Sequence, residues 1–261
     1  MELLKIEALT KTFGGLHALR RVSFAIRQGE IVSLIGPNGA GKTTLFNCID
    51  GLLPFPEGEV FFKGKRLKGL KPHQIAELGL SRTFQVTRLF NKMTILENMI
   101  VGQHHHLKAG LWSGLLRPGW VSEEEGRALE ESLKVLALFE ERLLPRKDAF
   151  AETLSYANKR RLEIARALVS DPKLLLLDEP TAGMNPHETE GVIRLIKKIK
   201  EMGITLLIIE HDMKVIMGAS DRIVVLDHGE KIAEGPPAEI QSNERVIQAY
   251  MGKRHRHAET E

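Results

Sequence analysis

A glycine-rich segment near the N-terminus has the composition and spacing of a phosphate-binding loop. Residues 36–44 read GPNGAGKTT, which matches the pattern G-x-x-x-x-G-K-[ST]. Glycines let backbone N–H groups turn inward around phosphate oxygens, and the N-terminus of a following helix adds partial positive charge. Lys42 is therefore expected to reach the β- and γ-phosphates of a nucleotide, and the Thr43 hydroxyl to ligate Mg²⁺. The predicted nucleotide-binding residues of this segment are Gly36, Asn38, Gly39, Ala40, Gly41, Lys42, Thr43 and Thr44.

Two carboxylates end a second apolar segment, LLLLDE at residues 174–179. Beside a phosphate loop, Asp178 can hold the water shell of a metal ion. Glu179 can orient or deprotonate an attacking water molecule. Many strands end in aspartate, so this pattern is specific only in combination with the phosphate loop.

Two further polar residues follow strand-like segments. Gln85 follows SRTF, and His211 follows IIE. An amide can bridge a metal ion and water, and an imidazole can donate a hydrogen bond to a γ-phosphate oxygen. The residues alone also fit a surface or loop position, so these two assignments depend on a family resemblance.

The elements that must position these groups alternate along the chain. The first 65 residues predict strands, and residues 31–35 predict a strand buried on both faces, followed by a helix between Gly41 and Gly51. After about residue 167, strands alternate with helices, which favours a parallel sheet. The predicted elements there are strands at 174–177, 204–209, 223–226 and 231–234, and helices at 186–202 and 213–219.

The middle of the chain predicts helices and is expected to form a subdomain. Ser122 and Glu125 have the spacing of a capping box. The leucines that follow are expected to share one buried helix face: Leu129, Leu133 and Leu136. Residues 102–119 predict a surface loop or short helices. The histidines at 104–106 could suggest a metal site, but a solvated loop is the favoured interpretation because no cysteine or carboxylate cluster stands nearby.

Composition excludes several classes of protein. The 261 residues carry 37 basic and 34 acidic side chains, and this net charge of +3 is too small and too evenly spread to indicate nucleic-acid binding. No apolar run approaches the roughly 18 residues of a membrane span. Cys48 is the only cysteine, so an internal disulfide is excluded and reducing, cytoplasmic conditions are expected.

The order of these segments resembles that of ATP-binding cassette (ABC) proteins. Residues 154–161, LSYANKRR, lie between Gln85 and the carboxylate pair, and LEIARAL follows them at 162–168. LSY, together with TAGMNP at 181–186 and IEHDM at 209–213, is similar to the ATPase subunit of branched-chain amino acid importers. The insertion QHHHL at 103–107 supports the same resemblance.

The resemblance implies the fold and the division of the chain. It implies an α/β fold: a P-loop NTPase core of mainly parallel sheet, with an N-terminal antiparallel β-subdomain and an inserted α-helical subdomain. Residues 1–261 would form one ABC ATPase domain. Residues 1–85 and 167–261 would form the core with the β-subdomain, and residues 86–166 the helical subdomain.

The resemblance also implies roles for individual residues. Glu179 would be the catalytic base, and His211 the γ-phosphate switch. Gln85 would act in catalysis and join Thr43 and Asp178 as a Mg²⁺ ligand. Phe13 would stack on adenine, although a core position at a strand end is nearly as good an interpretation.

A second subunit would complete each ATP site. The signature residues Ser155, Tyr156, Ala157 and Asn158 would face the phosphate loop of a partner ATPase, identical or related. Four residues depart from the general family pattern. Tyr156 and Ala157 stand where glycines are usual, Asn158 where a glutamine is usual, and Asn185 where an aspartate is usual; of the two at glycine positions, Tyr156 is typical of the importer subgroup and Ala157 is not. The methyl group of Ala157 is expected to slow the partner's site, since the backbone there must approach phosphate.

The resemblance also implies partners in the membrane, and several alternative functions stay open beside it. The partners would be integral membrane permease subunits, held by a groove beyond Gln85 that grips a coupling helix, and indirectly a periplasmic or extracellular solute-binding protein. The chain would be cytoplasmic, peripheral on the cytoplasmic face of the membrane. The alternatives are a non-catalytic ATP-binding regulator, a small-molecule P-loop kinase, and a soluble relative acting in repair or translation.

Overall fold

Two sheets form the framework of the protein. The computed structural model describes residues 1–84, 88–104, 119–139 and 142–258. The strands are β1 Glu2–Phe13, β2 Leu16–Arg27, β3 Ile31–Ile35, β4 Glu57–Phe62, β5 Lys65–Arg66, β6 Leu80–Arg82, β7 Leu174–Asp178, β8 Thr205–Ile209, β9 Arg222–Asp227 and β10 Glu230–Gly235. One sheet is antiparallel, in the order β2-β1-β4-β5. The other has the order β10-β9-β3-β8-β7-β6 and is parallel except for β10.

Helices cover the larger sheet and make up most of the middle of the chain. They are α1 Lys42–Ile49, α2 Pro72–Glu77, α3 Ile95–Gly102, α4 Gly119–Ala137, α5 Tyr156–Leu168, α6 Pro186–Glu201, α7 Met213–Ala219, α8 Pro237–Gln241 and α9 Glu244–Ala258. The α/β fold class predicted from the sequence is confirmed. Among the described residues, no helix combines the length and apolar character that crossing a membrane requires.

The central strands are apolar because both of their faces are covered. Every residue of β3, β7 and β8 is buried. Leu174 and Leu176 pack with α1 and the antiparallel sheet, whereas Leu175 and Leu177 pack with α5 and α6. The alternation along one strand therefore joins two hydrophobic cores.

The register of the parallel strands places their carboxyl ends together. Leu34 of β3 and Asp178 of β7 are both paired with Ile209 of β8. The chain leaves these strands into the phosphate loop, Glu179 and Glu210 respectively. Side chains that follow the three strands consequently meet at one edge of the sheet, as in other open parallel sheets.

Local signals in the sequence explain several element boundaries. Asn185 caps α6 by accepting from the Glu188 N–H at 3.0 Å, and Pro186 begins the helix, as expected. The β9–β10 hairpin turns at His228 and Gly229, both of which have positive φ, which suits a two-residue hairpin loop.

The prediction for α4 was wrong in two respects. The helix begins at Gly119, so Ser122 lies within its first turns and does not cap it. Its buried face carries Ala128, Ser132, Val135 and Leu136, whereas Leu129 is 39% exposed and Leu133 only partly buried. Gln103 at the end of α3 causes this rotation, since its Nε2 donates to the Ala128 carbonyl at 2.7 Å and to the Ser132 hydroxyl at 2.8 Å. A buried polar contact thus outweighs the leucine pattern.

Candidate functional site

The glycine-rich loop adopts a conformation that requires glycine at two positions. Gly36 has φ +149°, and a Cβ there would overlap the carbonyl oxygen of Leu226 in β9. Gly41 has φ +102°, and its Cβ would lie 2.5 Å from the carbonyl oxygen of Ala18 in β2. The loop is therefore packed tightly between two strands, with its backbone fixed before any ligand arrives.

Lys42 lies across the loop at the start of α1. Its ammonium group donates to the carbonyl oxygens of Gly36 at 2.6 Å and Pro37 at 3.1 Å. Thr43, the next residue, is exposed. The loop thus presents a cation, a hydroxyl group and the first backbone N–H groups of a helix to the same space.

A cleft of about 420 Å³ opens above the loop. It is lined by residues 38–44, by Leu16, His17, Ala18 and Arg20 of β2, and by Glu179, Ile209 and His228. Phe13 is not among the described residues that line it. Phe13 is 47% exposed, pairs with Leu16 across the β1–β2 hairpin, and has the Lys11 ammonium 5.0 Å from its ring centroid. The cleft wall nearest to Phe13 is therefore formed by Leu16 and His17.

Glu179 and His211 meet at the ends of β7 and β8. Glu179 has φ +49°, and its N–H donates to the carbonyl of Ile209 at 2.9 Å. This turn leaves its carboxylate a quarter exposed at the cleft, with Oε1 3.7 Å from Nδ1 of His211. The positive φ is unusual for a glutamate and is typical of strained functional positions. The structure thus brings together two residues that lie 32 positions apart in the sequence.

Glu210 holds this arrangement in place and was missed by the sequence analysis. Its buried carboxylate accepts from the N–H and hydroxyl groups of Thr181 and from the N–H groups of His211, at 3.0 Å, and Asp212, at 3.3 Å. These four donors satisfy a buried carboxylate, and no arginine or lysine in the described part of the chain pairs with it. Glu210 therefore ties the loop after β7 to the loop after β8.

Arg160 of α5 is a second residue that the sequence analysis missed. It is 1% exposed, and its Nη2 donates to the carbonyl oxygens of Asp178 and of Glu179, the latter at 3.1 Å. Its Nη1 donates to the carbonyl of Phe84 and to Glu163 at 2.7 Å, and Glu163 accepts from the Phe84 N–H at 3.2 Å. The helix after Ser155 is thereby fixed to the carboxylate pair and to the segment that follows β6.

Arg82, the last residue of β6, is a third missed residue. Its Nη2 donates to Oδ2 of Asp178 at 3.0 Å, and its Nη1 donates to Asn47 at 2.7 Å and to Asp50. The Asp178 N–H also donates to the Thr83 hydroxyl at 3.3 Å. Asp178 is therefore held from its side chain and from its backbone.

Among the signature residues, Ser155 and Tyr156 are exposed. Ser155 caps α5, and its hydroxyl accepts from the Asn158 N–H at 3.4 Å. The Tyr156 ring packs against Gly183. A Cβ atom added to Gly183 would lie only 3.3 Å from Cε1 of Tyr156. Ala157 is 5% exposed, so its methyl group packs inside the chain. In this chain the methyl group is therefore not presented on the exposed surface beside Ser155 and Tyr156.

The donor set at the cleft fits Mg²⁺ held mainly through phosphate. Thr43 lines the cleft and offers a hydroxyl group, and Asp178, which is buried directly before the cleft residue Glu179, offers a carboxylate. Mg²⁺ commonly uses one or two protein oxygens together with phosphate and water. Within the described ranges, no group of three or more His, Cys, Asp or Glu residues could hold a metal by itself. Gln85 and His105–His106 lie outside the described residues, and His104 is exposed.

A groove of about 280 Å³ lies on the other side of Arg82, between α2, β6 and α5. Its lining includes Asp50, Leu52, Ile75, Arg82, Phe84 and Arg166. The Arg166 guanidinium lies 5.8 Å from the ring centroid of Phe90, and burial lowers its pKa. The groove combines an apolar wall with two arginines and two carboxylates, Asp50 and Glu163.

Comparisons with known sequences identify relatives over nearly the whole chain. The family described as ABC transporter matches residues 19–182, and the family described as branched-chain amino acid ATP-binding cassette transporter matches residues 230–256. The high-affinity branched-chain amino acid transport ATP-binding protein LivG of Salmonella typhimurium is 48% identical over 254 residues, which cover 96% of this chain and 98% of that protein. The corresponding protein BraF of Pseudomonas aeruginosa is 43% identical over 252 residues, with the same coverage.

Solved structures agree with these sequence relatives. An ATP-binding cassette of an ABC transporter in its ADP conformation superposes with a TM-score of 0.84 at 34% identity, covering 97% of this chain and 99% of that one. A dimeric cassette in a post-hydrolysis state, bound to ADP and Pi, has a TM-score of 0.73 at 30% identity, covering 90% and 98%.

Proposed function

The chain belongs to the ABC transporter family, and on that premise we propose that it is the ATP-hydrolysing subunit of an importer for branched-chain amino acids. The observation that carries the proposal is the convergence of Lys42, Glu179 and Ile209 on one cleft, with His211 beside Glu179. The identity to LivG and BraF supports the solute class.

The residues of the cleft divide the work of phosphoryl transfer to water. The loop N–H groups and Lys42 bind the phosphates, and the N-terminus of α1 favours their negative charge. Thr43, Asp178 and Gln85 would hold Mg²⁺, which neutralises charge on the transferring phosphoryl group. Glu179 accepts a hydrogen bond from the attacking water and takes its proton, while His211 donates to a γ-phosphate oxygen.

A second ATPase subunit, identical or related, completes each site. Ser155 caps α5, so the helix N-terminus and the exposed Ser155 hydroxyl are available to a γ-phosphate held by the partner's loop. Tyr156 is exposed on the same face, and Asn158 is partly exposed there. Dimeric cassettes among the structural neighbours support this arrangement.

The groove beside Arg82 would receive a cytoplasmic segment of an integral membrane permease. Leu52 and Ile75 offer an apolar contact, and Arg166 offers a positive charge for an acidic side chain. Through the permease the chain would act with a periplasmic or extracellular solute-binding protein, on the cytoplasmic face of the membrane. Nucleic acid is not expected as a partner, because the net charge is only +3.

The domain arrangement proposed here is one ABC ATPase domain. Residues 1–85 and 167–261 form the nucleotide-binding core with the antiparallel sheet, and residues 86–166 form the helical subdomain. Arg160 supports a rigid connection, since it lies in the second part and contacts Asp178 and Glu179 in the first.

Reconstitution tests the proposal. The chain, its permease subunits and a solute-binding protein are incorporated into vesicles with ATP inside, and leucine uptake and phosphate release are measured. We expect Mg²⁺-dependent ATP hydrolysis and leucine accumulation, both abolished by Glu179→Gln. Hydrolysis without leucine transport would reject the solute class and leave the ATPase function in place.

A further inference from the structure

Arg82 connects the groove to the carboxylate at the nucleotide cleft. Its guanidinium group donates to Asp178 from one nitrogen, and to Asn47 and Asp50 from another. All three side chains are largely buried: Arg82 is 6% exposed, Asp50 10% and Asp178 3%. One buried cation therefore bridges two buried anions.

The surroundings of Arg82 restrict how it can move. The ring centroids of Phe46 and Phe84 lie 5.3 and 5.2 Å from its guanidinium carbon, so two aromatic side chains pack near the guanidinium group. Its Nε is buried and has no hydrogen-bond partner among the residues that the structure describes. This orphaned donor shows that the hydrogen bonding of Arg82 is incomplete in the present arrangement, and a small shift of the fork could change it.

The two ends of this bridge face different ligands. Asp50 and Arg82 line the groove, whereas Asp178 ends β7 at the proposed Mg²⁺ site. Burial raises the pKa of Asp50, and the nearby Arg82 charge offsets this only in part. The groove end of the bridge is the one that an incoming segment can touch, because Asp50 lines the groove and Asp178 does not.

We propose that Arg82 is a positioning residue that orients Asp178 for Mg²⁺ and makes that orientation sensitive to occupation of the groove. This inference rests on the proposed function and names a regulatory route within it. A segment in the groove changes the contact between Arg82 and Asp50. Because the guanidinium group is rigid and planar, a shift of Nη1 beside Asp50 also moves Nη2 beside Asp178. A lysine ammonium group could not contact both carboxylates in this way.

The first experiment measures Mg²⁺ affinity without turnover. The melting temperature of the full chain is followed at fixed ADP while MgCl₂ is titrated, for wild type, Arg82→Lys and Arg166→Lys. Arg82→Lys keeps the charge and removes the fork. Arg166→Lys is the matched control, because Arg166 lines the same groove and contacts Phe90 rather than Asp178.

The expected result is selective. Arg82→Lys should require several-fold more Mg²⁺ for half of the stabilisation, with the stabilisation by ADP alone unchanged, and Arg166→Lys should coincide with wild type. Coincidence of Arg82→Lys with wild type would overturn the inference, and so would an equal displacement of both variants. If wild type itself gains no stability from nucleotide, the proposed function fails and the inference fails with it.

A second variant tests the sensitivity to the groove and remains available if Arg82→Lys does not fold. Asp50→Asn removes the ion pair at the groove end and leaves the contact between Arg82 and Asp178. In the assembled transporter, the Mg²⁺ midpoint of wild type should differ at least twofold from that of the isolated chain. In Asp50→Asn this difference should vanish, and its persistence would refute the route through Arg82.

Discussion

The guanidinium group of Arg160 donates a hydrogen bond to the carbonyl oxygen of Glu179 at 3.1 Å, from a helix whose first residue follows Ser155. Its second nitrogen contacts Glu163, so the guanidinium charge is compensated inside the protein. A displacement of α5 by a partner subunit would therefore reach the backbone of Glu179 directly. Within the proposed function, this one side chain connects the signature segment to the residue proposed as the catalytic base.

The first prediction concerns Arg160. In Arg160→Lys, the ammonium group can keep its ion pair with Glu163 but cannot also reach both strand-end carbonyl oxygens. Turnover should fall about tenfold, equivalent to about 1.4 kcal/mol in the barrier, while the affinity for ADP stays close to that of wild type. Steady-state kinetics and ADP titration measure the two quantities.

The neighbouring Arg161 supplies the control for this experiment. Arg161 is also largely buried, but its Nη1 donates to Asn158 at 2.9 Å instead of to the carboxylate pair. Arg161→Lys should keep most of the turnover. Equal losses in the two variants would show that Arg160 acts through helix stability alone.

The second prediction separates binding from hydrolysis at the cleft. Lys42→Ala removes the cation that lies across the phosphate loop, and ATP affinity should fall at least tenfold, because a charge-assisted contact is lost. Glu179→Gln preserves the shape of the site and should bind ATP as wild type does while turnover falls at least a hundredfold. Equilibrium ATP binding and single-turnover hydrolysis test both variants. Full turnover in Glu179→Gln would reject the catalytic base.

The sequence predicted the framework of the site because its signals are local. The phosphate loop lies between an apolar strand and a helix, and Asn185 with Pro186 marks the start of α6. The leucines of β7 are continuous because parallel strands are covered on both faces, and the carboxylate of Asp178 marks the point where this strand ends. These features require no knowledge of long-range contacts.

The residues that fix the site depend on long-range contacts and were not predictable in the same way. Arg82 meets Asp178 across 96 positions, and Thr181 meets Glu210 across 29. A faint signal existed: Arg160 and Glu163 are charged residues three apart on a helix that is buried along that side, and Glu210 directly follows a buried strand. Buried charge is recognised only when its partner is known.

The third prediction compares two candidates for contact with the adenine base. The family resemblance favours Phe13, whereas the cleft wall contains His17 and Leu16. His17→Ala should weaken ATP binding several-fold, because base–aromatic stacking contributes about 1–3 kcal/mol. Phe13→Ala should weaken ATP binding less, provided that the Phe13 ring keeps its position beside Lys11 when ATP binds. Titration with a fluorescent ATP analogue distinguishes them, and a larger loss for Phe13→Ala would restore the original assignment.

The fourth prediction concerns Glu210, whose carboxylate accepts from Thr181, His211 and Asp212. In Glu210→Gln, only one side-chain oxygen can accept strongly, and the amide NH₂ group faces donors. The unfolding free energy should fall by about 1–3 kcal/mol because buried N–H groups lose their acceptor. Turnover should fall more than ATP affinity, because the loops that carry Glu179 and His211 loosen. Urea unfolding and kinetics give both values, and unchanged stability would show that the loops are held in another way.

The fifth prediction concerns Ala157 and reverses an expectation drawn from the family pattern. A methyl group in place of glycine suggested a slower composite site, but Ala157 is 5% exposed and packs within its own chain. Ala157→Gly should therefore leave turnover at both sites of the assembled dimer within about twofold of wild type. It should lower the unfolding free energy by about 1 kcal/mol, because a buried methyl group is lost and glycine gains conformational freedom in the unfolded chain.

Ser155→Ala is the contrasting variant, since Ser155 is exposed on the face proposed to meet the partner's ATP. Faster turnover in Ala157→Gly at the partner's site would mean that the dimer turns this methyl group toward phosphate, contrary to its buried position here.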